Sequence, residues 1–145
     1  MKAKDIIRSK RFQSGRRIPH HKDVSVARHA LAAAQIGAGM CDKLKKIGVR
    51  VSKEDVVDAC LLHDIGMTEE KVFKSPSFIK AYTHPEEGAR IAKEEYGANE
   101  VQCDAIRRHM WPICIVPPKH PEGWLVIGAD KLAAWREVIS HFRKH

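Results

Sequence analysis

The stretch Val56-Val57-Asp58-Ala59-Cys60-Leu61-Leu62-His63-Asp64-Ile65-Gly66 decides the reading of this chain. An apolar run with helical spacing ends in two adjacent metal-capable side chains, and a glycine then stops the helix. Ala59 and Cys60 lie three and four residues before His63, and Cys60 and Leu61 stand in the same relation to Asp64. Both polar groups therefore share the buried side of their helix. An ionised carboxylate placed there without a partner costs several kcal/mol or takes up a proton. A divalent cation reached by other His and Asp residues is the economical partner, and the rest of the sequence is a search for those residues.

A second carboxylate has the same problem. Asp130 has Val126, Ile127, Ala133 and Ala134 as same-face neighbours in the last helix, expected over about 122–142. Upstream, Asp23 reads as the N-cap of a long helix whose stripe runs Val26, Ala30, Ala33, Gly37, Met40, Leu44 and Ile47, with His29 beside it. Ser52-x-x-Asp55 resembles a capping box opening the His63-Asp64 helix. The signal weakens over 67–82, where Thr68-Glu69-Glu70 caps a short helix at most. Thr83-x-x-Glu86 with Pro85 reads as the next helix start, placing His84 in a first turn, and Gly97 as its stop. Asn99-x-x-Gln102 opens a helix carrying Ala105, Ile106 and His109 on one face, ended by Trp111-Pro112. A proline-rich loop follows over 113–123. No run alternates with period two, so the fold class is all-α.

The bounds on the whole chain agree. Its 145 residues, 43% hydrophobic and 30% charged, describe one globular domain rather than a disordered segment. The longest apolar stretch, 30–41, is broken by Gln35 and two glycines and falls short of a membrane span. The N-terminus lacks an apolar signal core, so the expected location is cytoplasmic. Cys41, Cys60, Cys103 and Cys114 show no Cys-x-x-Cys spacing and read as reduced. Of the net charge of +8, residues 1–22 contribute most, with eight Lys and Arg residues against Asp5 alone. That basic segment, with a short helix over 3–10, divides from a domain at 23–145. It reads as a solvated leader. Nucleic acid is a less favoured partner, because only Phe12 interleaves with the charges.

His29, His63-Asp64, His84, His109 and Asp130 thus sit in or beside buried helical faces or at a helix start. Two carboxylates and up to four imidazoles suit Mn, Fe, Zn, Co or Ni better than Mg. The set exceeds what one octahedral ion needs, so one or two divalent ions are expected, with a carboxylate bridge in the second case.

In order and context, His29…His63-Asp64…Asp130 resembles the His…His-Asp…Asp signature of the HD superfamily of metal-dependent phosphohydrolases. The flanking text agrees, as in Ser25-Val26-Ala27-Arg28-His29 and Ala129-Asp130-Lys131-Leu132. The resemblance spans about residues 20–138 and implies a single-domain helical bundle of about five to seven helices. It implies His29, His63, Asp64 and Asp130 as ligands of a first ion. His84-Pro85-x-x-Gly88 followed by His109 is similar to the extra histidines of the two-metal branches, in which Asp64 would bridge. Met110-Trp111-Pro112 stands where the HD-GYP branch has Gly-Tyr-Pro, and Met67 where it has Lys, which counts against cyclic dinucleotides. Position 67 is not acidic either, which counts against guanosine tetraphosphate.

The resemblance therefore implies cleavage of a phosphate mono- or diester, a nucleotide above all, by metal-activated water. Asp64 and His63 would be the catalytic core. Lys131, Arg108 and His21 are the candidates for binding the phosphorylated substrate. The alternative is a non-catalytic regulatory module that binds metal or nucleotide.

Overall fold

The computed structural model describes residues 2–21 and 23–144; Met1, His145 and Lys22, one of the basic residues counted above, lie outside the described residues. Eight α-helices run along the described chain: α1 (Ala3–Arg8), α2 (Lys10–Ser14), α3 (Val26–Lys46), α4 (Lys53–Leu62), α5 (Glu70–Phe73), α6 (Ser77–Tyr96), α7 (Glu100–Arg108) and α8 (Pro121–Lys144). Five of them, α3, α4, α6, α7 and α8, form the bundle. The fold is all-α, with one small antiparallel pair, β1 (Pro19–His21) and β2 (Val24–Ser25), ahead of α3.

α3 packs on α4 and α8, and α7 joins α4, α6 and α8. The small buried residues Ala30, Ala33 and Gly37 let the neighbours of α3 approach closely. The stripe runs out at Cys41, and Ile47 at its expected end is 74% exposed. The N-cap of α3 is Ser25, whose hydroxyl accepts from the Arg28 N–H, rather than Asp23. Asp23 lies in a turn ahead of β2, whose pairing with β1 occupies Val24–Ser25, so the helix begins two residues later.

Other boundaries follow local chemistry. Ser52 caps α4 through the Asp55 N–H, Asn99 and Gln102 form a reciprocal capping box on α7, and Gly97 ends α6 with a left-handed φ of 67°. α4 stops at Leu62, not Gly66. His63 keeps helical angles, Asp64 departs at φ −107°, ψ 13°, and a 3₁₀ turn covers Ile65–Thr68. α6 starts at Ser77, six residues before the expected Thr83, so Pro85 lies inside a helix and His84 is in mid-helix. A proline there removes a ladder hydrogen bond. Its burial together with His84, Gly88 and Ala89 offsets that loss through packing.

The basic segment is not a solvated leader. Ile6 and Phe12 belong to the same buried cluster as Ala30, Leu61 and Tyr96. Ser9 separates α1 from α2, accepts from the Phe12 N–H and lies 2.6 Å from the Tyr96 hydroxyl. Arg11 forks onto Glu95 with two contacts of 2.8 Å. Among the described residues, no helix is long and apolar enough to cross a membrane.

Candidate metal centre

Six side chains predicted from the sequence meet at one place. His29 comes from α3, His63 and Asp64 from the end of α4, His84 from α6, His109 from the end of α7 and Asp130 from α8. All but Asp130 are buried, and Asp130 is nearly so. His29 Nε2 lies 2.7 Å from Asp130 Oδ1, and His63 Nε2 lies 3.2 Å from the same oxygen and 3.1 Å from Asp64 Oδ2. On the other side, His84 and His109 Nε2 stand 3.1 and 3.4 Å from Asp64 Oδ1. The donor atoms of His29, His63, Asp64 and Asp130 form one group within 4.8 Å of one another, and those of Asp64, His84 and His109 form a second.

The imidazoles are oriented from behind. Nδ1–H of His63 donates to the Cys60 carbonyl, that of His84 to Lys80 and that of His109 to Ile106, each at 2.6 Å. The Cys60 and Ile106 carbonyls lie in last helical turns, where backbone acceptors lack helical partners. His29 Nδ1 instead meets the Glu137 carboxylate at 2.9 Å. With every Nδ1–H committed, each Nε2 is the ring nitrogen left to face inward, and in the neutral imidazole it carries the lone pair a metal ligand needs.

That geometry fits a divalent ion. His84 Nε2 and His109 Nε2 are only 3.1 Å apart, with the Nδ1–H of each ring already engaged elsewhere. His63 Nε2 and Asp64 Oδ2 are buried without a hydrogen-bond partner despite their short separation. Such atoms are close yet aimed past each other. Two donors at right angles on bonds of about 2.1 Å stand about 3 Å apart, the spacing these pairs have.

The electrostatics say the same. Burial alone would neutralise both carboxyls. His63, with His109 and His20, outweighs burial and holds Asp64 well below the usual carboxylate range; His63 and His29 do so for Asp130. Burial would strip His63 of its proton, but Asp64 and Asp130 raise it well above its ordinary value. His109, by contrast, is lowered by burial. The cluster demands positive charge, which protons or a cation can supply.

A cavity of about 430 Å³ opens over the cluster, walled by His20, Met67, Lys80, Met110 and Lys131 among others. Lys131 is therefore beside the centre. Arg108 is not. It lies 3.7 Å from Asp104 and lines a separate cleft with Tyr82 and Ile115. His21 pairs with Glu137 at 3.2 Å and does not line this cavity.

Three residues at the site were not singled out by sequence reasoning. Glu137 lies seven residues after Asp130, two turns along the same face of α8, and that spacing was the available signal. Lys80 was hidden in the weak stretch before the expected helix start. His20 stands in an irregular stretch ahead of the first long helix, where no period marks it. Its Nε2 is 3.1 Å from Asp64 Oδ2, and its ring stacks on His29 with centroids 3.9 Å apart.

Residues 26–135 match the HD domain family model, and the chain belongs to that family. Two solved structures share the fold. The PH0347 protein from Pyrococcus horikoshii OT3 has a TM-score of 0.67 and 20% identity, covering 92% of this chain and 76% of its own. A conserved hypothetical protein from Pyrococcus furiosus has a TM-score of 0.68 and 22% identity, covering 98% of this chain and 84% of its own. No curated protein matches the sequence. The His/Asp cluster of this HD domain has the donor set that suits a divalent metal ion.

Proposed function

We propose that this protein is a metal-dependent phosphohydrolase that cleaves a phosphate mono- or diester, with a nucleotide as the substrate class, at two ions bridged by Asp64. The observation that carries this reading is the division of one carboxylate. Oδ2 of Asp64 faces His63 and His29, at 3.1 and 3.8 Å, while Oδ1 faces His84 and His109. His29, His63, Asp130 and Oδ2 would hold the first ion, and His84, His109 and Oδ1 the second. When bound, such ions polarise a water and neutralise the phosphoryl oxygens.

The chain's own groups set the conditions. Nδ1 contacts keep the imidazole lone pairs turned inward, so little reorganisation accompanies loading. Burial of the ligand set excludes bulk water from behind it. Lys80 and Lys131 on the cavity wall offer cationic side chains to the rest of a phosphorylated substrate. The imidazole-rich shell favours Mn, Fe, Co, Ni or Zn over Mg.

The test pairs metal analysis with turnover. Tag-free protein purified without chelator is expected to carry about two ions per chain. Asp64→Ala should lose them along with hydrolysis of p-nitrophenyl phosphate and bis-p-nitrophenyl phosphate. A folded Asp64→Ala protein with full activity would sink the mechanism, as would wild-type protein that takes up none of Mn, Fe, Co or Zn.

A further inference from the structure

The family match begins at residue 26, yet the cluster has a contact from before it. β1 places His20 on the cavity wall with its side chain 17% exposed. The strand pair fixes that position through Pro19 opposite Ser25 and His21 opposite Val24, and the Val26 N–H donates to the Ile18 carbonyl at 2.8 Å. The segment delivering His20 is thus tied to the first turn of α3, the helix that carries His29.

His20 Nε2 stands 3.1 Å from Asp64 Oδ2, the same spacing that His63 Nε2 has to that oxygen and His84 Nε2 has to Oδ1. Unlike theirs, its Nδ1 is buried without a hydrogen-bond partner, so the strand and the His29 ring hold it in place of an acceptor behind it. Oδ2 has no hydrogen-bond partner, so the imidazole is close to it without pointing at it. An imidazole lone pair and a carboxylate oxygen held in that relation would take a cation as their common partner. Stacking on His29, with ring planes 15° apart, aims both imidazoles into the same half of the site. His20, His21 and His29 also form a group of their own within 4.8 Å. A separate ion there is disfavoured, because His29 Nδ1 is committed to Glu137 and its Nε2 faces the half-site formed with Asp130 and Asp64.

We propose that His20 is an additional metal ligand on the His29–Asp64 side of the centre, supplied by a hairpin that starts ahead of the residues matching the HD family model. It completes the first half-site from the cavity side, opposite the helices that supply the other donors. This assignment rests on the metal-bridging role proposed for Asp64.

Cobalt(II) provides the probe, because its visible absorption reports the ligand set and its titration reports affinity. Wild type, His20→Gly and Asp64→Ala are titrated as full-length chains, with circular dichroism to verify the fold. His20→Gly is expected to bind cobalt at least about tenfold more weakly, with an altered spectrum. Free imidazole should restore both, which a loss of hairpin structure would not allow. Should the glycine variant unfold, His20→Asn removes the imidazole at lower backbone cost and is expected to show the same weakening. Wild-type affinity and spectrum in a folded His20 variant would overturn this assignment alone. Wild-type protein that binds no cobalt would overturn it together with the phosphohydrolase reading.

Discussion

Gly66 packs against the backbone of His84 so closely that a β-carbon at position 66 would overlap the His84 carbonyl oxygen and lie 2.8 Å from the Gly88 nitrogen. These neighbours are main-chain atoms, which cannot swing aside. The 3₁₀ turn after Asp64 and the middle of α6 are thereby locked together, and with them Asp64 and His84. Gly66→Ala should destabilise the fold by about 1–3 kcal/mol through overpacking. It should also loosen the ion held by His84 and His109. Thermal melts with metal analysis would decide, and a variant with unchanged Tm and metal content would refute the interlock.

Glu137 is the orienting partner of His29 at 2.9 Å and touches no other member of the His/Asp cluster. Glu137→Ala should weaken metal binding by roughly 10–100-fold while all the proposed ligands remain. Glu137→Gln retains one acceptor and should fall between. Calorimetric titration with manganese distinguishes these, and equal affinity in all three proteins would remove Glu137 from the site.

Removing one half of the centre should leave the other. His109→Ala is expected to retain about one ion per chain, whereas Asp64→Ala retains none. Stripping wild type with chelator should lower its Tm, and metal returned at 100 times its Kd should restore about 2.7 kcal/mol. Loss of both ions from His109→Ala, with the fold intact, would argue for a single cooperative site.

Asp58 lies away from the metal centre and gives a separate pH test. Burial, reinforced by Glu54, raises its carboxyl from 3.8 to about 6, against the lowering effect of the Gln102 amide. The folded state therefore holds this proton more tightly than the unfolded chain does. Asp58's contribution to stability is most favourable below about pH 4 and declines as pH rises through 6, leaving a cost at neutral pH. Asp58→Asn keeps an acceptor for Gln102 and should melt a few degrees above wild type at pH 7.5. That advantage should disappear by pH 4. A variant less stable than wild type at pH 7.5 would show that the ionised carboxylate is favourable there.

Much of the centre was legible because its residues sit on helices. Periodicity places His29, His109 and Asp130 on or beside apolar faces, and Ser52, Gly97 and Asn99 mark helix ends by side-chain and backbone chemistry that is local. What escaped depends on long-range packing. Pro85 looked like a first-turn proline, because nothing nearby reveals that α6 begins at Ser77. Ile6 and Phe12 were masked by the lysines and arginines around them, which point outward while those two side chains enter the core. His20 lies on a three-residue strand, too short to show a period, and only the fold brings it to Asp64.

Three of the four imidazoles that the bundle helices bring to the centre are steered by main-chain carbonyls, at Cys60, Lys80 and Ile106. A point substitution cannot delete a carbonyl. Residue 80 can drift in identity, and residues 60 and 106 can drift among side chains that fit the core, without turning a ligand out of alignment. Among these four only the His29 orientation depends on a side chain, so the helical part of the centre is robust to mutation at three of its four supports and vulnerable at Glu137.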